Sequence, residues 1–66
     1  MSAVAVLVAD GFETIECLTM VDVLRRGGVR VSLVSTMSTR DAVSSQQIEI
    51  TCDCTLEEVD FDDYDY

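Results

Sequence analysis

The chain has 66 residues, a formal net charge of −9 and no histidine. It contains four arginines and no lysine, too few cations for a surface that binds nucleic acid phosphates, so we expect no nucleic acid partner. No apolar run approaches the roughly 20 residues that span a bilayer, and the N-terminus lacks a secretory signal, so we expect a cytoplasmic protein with no membrane association.

Two apolar runs flank a helical segment in the first half of the chain. Residues 3–9 form a continuous apolar strand, a second strand follows at 29–35, and such runs are typical of a parallel sheet covered on both faces. The order strand, helix, strand predicts a βαβ unit of the α/β class. Because one helix cannot cover both faces, we expect residues 1–66 to be the N-terminal part of a single larger domain, with the remainder of the polypeptide as its partner.

The predicted helix covers about residues 12–26. Asp10 is a residue type that caps helix N-termini, and Glu13, three residues later, completes a capping-box pattern. At the other end, Gly27 or Gly28 is expected to take the left-handed conformation that terminates a helix.

The second half of the chain is more polar. Residues 35–45 predict a loop, and residues 47–54 alternate between apolar and polar side chains, which predicts a strand with one solvated face. Residues 43–46 are a weak candidate for a hairpin arm that pairs with this strand. Residues 55–58 form a second capping box, which predicts a helix of one or two turns.

One carboxyl group interrupts the apolar side of the predicted helix. At about 100° per residue, Glu16 projects within the arc that should face the sheet. It either reaches solvent at the rim or belongs to a site, and the sequence leaves both interpretations open. Parallel sheets bind ligands beyond the C-terminal ends of their strands, which is where Glu16 follows the first strand. The apolar arc consists of Phe12, Cys17, Met20, Val21, Val23 and Leu24.

Two apolar side chains lie on the otherwise polar side of this helix. Ile15 and Leu18 are either ordinary exposed residues or a contact seam with another subunit or with the rest of the chain. We name these two residues the Ile15–Leu18 seam.

The three cysteines show no metal-binding or disulfide pattern. Cys17 faces the core arc, whereas Cys52 and Cys54 are predicted on one side of the same strand. Without histidine or a second cysteine pair a zinc site is not expected, and no cofactor is expected either. None of the three follows a tight strand-to-helix turn, so none is a candidate nucleophile.

Several segments, in order and at the right spacing, resemble the ThiJ/PfpI superfamily. The similarity includes the turn Asp10-Gly-Phe-Glu-Thr-Ile-Glu16, the helix end and glycines at 21–28, the segment 53–58 and the Asp-x-Tyr-Asp run at 62–65. The resemblance implies a flavodoxin-like fold, similar to class I glutamine amidotransferases, of which this chain is the N-terminal portion.

The resemblance also implies a function and an assembly. Glu16 corresponds to the active-site acid, while the cysteine on a nucleophile elbow and the histidine come later in the family's sequence and have no counterpart in this chain. The implied activity is cysteine-dependent conversion of a small 2-oxoaldehyde or an early glycation adduct, of the glyoxalase or deglycase type, by a homodimer formed through the first helix. Alternatives are an oxidative-stress sensor or chaperone-like protein, a non-catalytic acidic interaction module and, last, a peptidase.

Overall fold

A computed structural model of the protein describes residues 3–66, and it confirms the α/β class. Strands β1, β2 and β5 form a parallel sheet in the order β1-β2-β5, while β3 and β4 form a separate antiparallel hairpin. The elements, in chain order, are β1 (Ala3–Val8), α1 (Thr14–Arg26), β2 (Arg30–Ser35), β3 (Asp41–Val43), β4 (Glu49–Thr51), β5 (Cys54–Thr55) and a short 3₁₀ helix (Phe61–Asp63).

The core lies between α1 and one face of the parallel sheet. Val21 of α1 is 5% exposed and belongs to one cluster with Val8 of β1 and Leu33 of β2. Burial of each such side chain contributes about 1.5–3 kcal/mol. Ala42 of the hairpin and the neighbouring Cys52 extend the same cluster, so the hairpin closes one end of the core.

Part of the predicted apolar arc of α1 does not reach the core. Phe12, Cys17 and Leu24 pack against it as expected. Met20 is 45% exposed and Val23 is 60% exposed, so the prediction that they face the sheet is wrong for this chain. The helix packs mainly against β2. Its contact with β1, an outer strand of the sheet, is smaller, which leaves these two side chains partly exposed.

The C-terminus of α1 ends as predicted. Gly27 occupies the C-cap position with φ −81°, and Gly28 follows with φ +83°, the left-handed conformation that glycine adopts without strain. The Gly28 amide donates to the Arg25 carbonyl (3.1 Å) and the Val29 amide to the Leu24 carbonyl (3.0 Å), the bonding pattern of a Schellman motif. This tight stop lets β2 begin at Arg30.

The N-terminus of α1 differs from the prediction. The helix begins at Thr14, with Glu13 in the N-cap position, and the Glu13 side chain makes no capping bond. Asp10 is not the cap, because its Oδ1 accepts a hydrogen bond from the Val43 amide (2.9 Å). The hairpin therefore engages the acidic side chain that the sequence assigned to the helix.

The alternating segment 47–54 is not one strand, as the sequence predicted, but contributes to two sheets. Residues 49–51 pair with 41–43 in the hairpin, and residues 44–48 form its turn, so the predicted arm at 43–46 is largely turn. Cys54 then joins β2 as part of β5, while Cys52 lies between the strands. The chain changes sheets there, which removes the basis for placing the two cysteines on one strand face.

The second capping box forms a single turn and no regular helix. The amides of Glu58 and Val59 both donate to the Thr55 carbonyl (3.1 Å each). The Glu58 carboxylate accepts from the Thr55 amide (2.9 Å), as a capping box requires. It also forms a bidentate pair with Arg40, at 3.1 and 2.7 Å, which ties the loop after β2 to this turn.

The end of the chain lies along the outer edge of β1. The Tyr66 amide donates to the Ala3 carbonyl (3.3 Å), and its own carbonyl accepts from the Ala5 amide (2.8 Å), the bonding pattern of a parallel ladder. The Tyr64 hydroxyl donates to Ser32 Oγ on β2 (2.8 Å). Further along β1, Leu7 is 56% exposed.

We predict an acid-dependent loss of stability that depends on Glu58. The hydrogen bonds from Arg40 and from the Thr55 amide lower the pKa of Glu58 from 4.5 to about 2. Because the pKa of Glu58 is lower in the folded state than in the unfolded chain, the ionised carboxylate stabilises the protein at pH values above 4.5. This contribution is lost as the pH falls from 4.5 towards 2. In the intact protein, Glu58→Gln should lower Tm at neutral pH, and the difference from wild type should shrink across that interval.

The control for this prediction is Glu57→Gln, at a neighbouring carboxylate with no hydrogen-bond donor among residues 3–66. Its Tm should follow that of wild type at every pH in a calorimetric series. Equal pH dependence for Glu58→Gln and wild type would contradict a stabilising role for the Arg40 pair.

Candidate functional site

An open cavity lies at the C-terminal end of β1, against the first turns of α1. Its volume is about 360 Å³. The structure thus places Glu16 where the sequence predicted it, at the end of the first strand, with its side chain exposed to the cavity. The walls are formed by Val6, Leu7, Phe12, Cys17 and Met20, with the carboxylates of Glu13 and Glu16.

The two carboxylates of the cavity have different surroundings. Glu13 Oε1 accepts from the Ser45 hydroxyl (2.9 Å), and Glu13 Oε2 accepts from Gln46 Nε2 (2.9 Å). For Glu16, no hydrogen bond or ion pair to its carboxylate occurs within residues 3–66. Of these two groups, Glu16 is therefore the one whose oxygens are available to a molecule in the cavity.

The β3–β4 hairpin supplies the cap of α1 that the sequence assigned to Asp10. Gln46 Oε1 accepts from the Thr14 amide (3.1 Å) and from the Thr14 hydroxyl (2.8 Å). An acceptor there satisfies one of the amides that a helix N-terminus leaves without a partner. The Gly11 amide also donates to the Val43 carbonyl (2.8 Å), which joins the hairpin to the turn before the helix.

The hairpin turn holds Gln46 in this position. The Gln47 amide donates to the Ser44 carbonyl (3.0 Å) and the Ser44 amide to the Ile48 carbonyl (2.9 Å), so the loop has three residues. Gln47 has φ +64°, and such loops place their last residue in the left-handed region. Sequence reasoning missed this arrangement because Gln47 stands where glycine is usual and because side-chain contacts some 32 residues apart leave no local pattern.

Cys17 and Cys52 lack the environment of an activated nucleophile. Burial raises the pKa of the Cys17 thiol at the cavity. The Cys52 pKa is also raised, first by burial and then by nearby negative charge such as that of Asp53. A reactive cysteine needs a lowered pKa, so neither thiol is suited to attack a substrate at neutral pH.

Residues 3–66 contain no group of three or more His, Cys, Asp or Glu side chains arranged to hold a metal ion. The same stretch of chain has no helix with the length and apolarity to cross a membrane.

Comparison with known proteins gives concordant results from sequence and structure. A curated relative, DJ-1 homolog B of Arabidopsis thaliana, is 29% identical over 62 residues, which are 94% of this chain and 14% of the relative. A cysteine-to-alanine mutant of a DJ-1 superfamily protein from Salmonella typhimurium has a similar crystal structure, with TM-score 0.85 and 40% identity over 88% of this chain and 31% of that one. The oxidized DJ-1 of Toxoplasma gondii is similar at TM-score 0.83 and 30% identity, over 86% of this chain and 31% of that one.

These similarities confirm the flavodoxin-like fold, although the chain spans less than a third of each of these relatives. The sequence profile of the DJ-1/PfpI family matches residues 2–66. Nearly the whole chain thus matches the family that its motifs resemble, and we conclude that it belongs to the DJ-1/PfpI family.

Proposed function

We propose that this chain is part of a cysteine-dependent enzyme that converts a small 2-oxoaldehyde, or an early glycation adduct, to a hydroxy acid, with Glu16 as the site acid. The observation that carries the proposal is the position of Glu16 at the end of β1, on the cavity, without a hydrogen-bond partner among residues 3–66. This is the edge at which open parallel sheets bind ligands. The nucleophilic cysteine and the histidine would come from polypeptide beyond this chain.

The proposed reaction needs no external oxidant. The thiolate adds to the aldehyde carbon and the new alkoxide takes a proton, which gives a hemithioacetal. The proton on that carbon then moves to the neighbouring carbonyl carbon, and the hydroxyl proton moves to the oxygen of that carbonyl. The second carbon is thereby reduced to an alcohol while the first is oxidised to a thioester. Water hydrolyses the thioester, releasing a 2-hydroxy acid and the thiol. Glu16 would transfer the protons in these steps.

Glu16→Gln tests this role in the intact protein. The amide keeps the size and a hydrogen-bond donor but cannot transfer a proton, so lactate formation from methylglyoxal should fall about 100-fold or more. Asp22→Asn, on the same helix but outside the cavity, should retain wild-type turnover. Full activity of Glu16→Gln would remove the acid role, and a variant of the elbow cysteine should be inactive in the same assay.

A second candidate function is oxidation sensing, which the oxidized state of the similar Toxoplasma gondii protein favours. Two equivalents of peroxide would oxidise the site thiol to a sulfinic acid and be reduced to water, and Glu16 would hydrogen-bond the product. A wild-type protein that is inactive on every aldehyde but forms a sulfinate in mild peroxide would favour this function. An intact sequence without the elbow cysteine would instead favour a non-catalytic acidic interaction module.

We also propose that residues 1–66 are the N-terminal part of one domain and need its remainder to fold. The exposed Leu7 and Val23 support this proposal, as does the fact that the chain spans less than a third of its relatives. The chain expressed alone should show no cooperative thermal transition by circular dichroism, whereas the intact protein should show one. A cooperative transition of the isolated 66 residues would contradict the proposal.

The proposed homodimer uses the Ile15–Leu18 seam on α1. Ile15 is 79% exposed, whereas Leu18 is half-buried. A two-fold interface brings the same surface of both subunits together, so aspartates on the seam would bring like charges close to each other. Ile15→Asp with Leu18→Asp should therefore shift the intact protein towards monomer in sedimentation velocity.

The matched control for the seam is Ile48→Asp, at an exposed apolar residue of the hairpin turn. It should leave the dimer unchanged. A dimer that persists in the double seam variant would place the subunit interface elsewhere.

A further inference from the structure

Several hydrogen bonds join the tip of the β3–β4 hairpin to the start of α1. Gln46 accepts two hydrogen bonds from Thr14 and donates one to Glu13, and Ser45 donates another to Glu13. The Ser45 amide also donates to the Phe12 carbonyl (2.9 Å). These contacts engage the residues immediately before Glu16 and fix where the first turn of the helix begins.

The same contacts separate the roles of the two cavity carboxylates. Both oxygens of Glu13 accept bonds from the hairpin, so this side chain lines the cavity with its oxygens already engaged. The Glu13 carbonyl accepts from the Cys17 amide (3.0 Å), within the turn that carries Glu16. An anchor on Glu13 and Thr14 therefore also sets the position of the Glu16 backbone relative to the end of β1.

We propose that Gln46 is a positioning residue for Glu16: it caps α1 through Thr14, hydrogen-bonds the Glu13 carboxylate and thereby aims the Glu16 carboxylate into the cavity. The inference rests on the proposed acid role of Glu16. Gln46 does not line the cavity, so it acts through Glu16 and not on the substrate.

The kinetic test uses Gln46→Met in the intact protein, which keeps the side-chain length but removes the amide. With methylglyoxal, kcat should fall about 10-fold while KM changes less than about 2-fold, because a misplaced catalytic group affects the transition state more than binding. In a Glu16→Gln background, Gln46→Met should have no further effect on kcat. A full additional loss in that background would overturn the positioning role.

A swap of the two side chains provides the rescue. Gln46→Glu alone should lower kcat, because it places two carboxylates against each other. Glu13→Gln combined with Gln46→Glu lets the new glutamine donate to the new glutamate, which still accepts from Thr14, so most of the lost kcat should return. Gln47→Asn, at a residue type that tolerates the left-handed conformation, should leave kcat unchanged. A swap without recovery, or an equal loss in Gln47→Asn, would contradict the proposal.

Amide hydrogen exchange separates this proposal from the proposed reaction. Exchange at the Thr14 and Cys17 amides, which donate to Gln46 and to the Glu13 carbonyl, should be faster in Gln46→Met, return to wild-type rates in the swap and stay unchanged in Gln47→Asn. If the wild-type protein converts no aldehyde but the variants differ in exchange as expected, the proposed reaction is wrong and the anchoring of the turn that carries Glu16 is supported. Unchanged exchange in Gln46→Met would overturn the anchoring whatever the activity.

Discussion

The parallel pairing of β1 with β2 is the constraint on which the rest of the molecule depends. Six successive residue pairs, from Ala3 with Arg30 to Val8 with Ser35, align the two strands. Parallel neighbours need a crossover that returns the chain to the starting edge, and α1 is that crossover. The loop that enters α1 must therefore lie at the C-terminal end of β1, and that geometry creates the cavity beside Glu16.

Local patterns predicted the elements of this unit well because each signal is contained in a few adjacent residues. The apolar runs gave both strands to within one residue at their ends, and Gly28 gave the stop of α1. The position of Glu16 beyond the end of β1 followed from the order of the first strand and the helix. The family resemblance and the local physics agree on this part of the chain.

The failures share a different cause. Asp10 and Glu13 have the right spacing for a capping box, but their carboxylates bond to a hairpin some 30 residues later in the chain. The alternation over 47–54 predicted one strand, yet the chain leaves the hairpin after Thr51 and reaches β2 at Cys54. Met20 was assigned to the core, but it lines the open cavity beside β1 and is 45% exposed. Each of these outcomes depends on contacts between residues that are distant in the sequence, and the local pattern of one segment contains no information about such contacts.

The left-handed Gln47 has a consequence for how this region tolerates insertions and deletions. A loop of three residues sets the register of the hairpin, and a change of one residue in a strand register turns each side chain to the opposite face. One residue inserted into this loop would therefore move the side-chain amide of Gln46 away from Thr14 of α1, even if every original amino acid were kept. Among variants of this protein, the length of the turn should be more strictly retained than the identity of Gln47. If the hairpin is grafted onto another protein, keeping the three-residue loop should matter more than keeping its sequence.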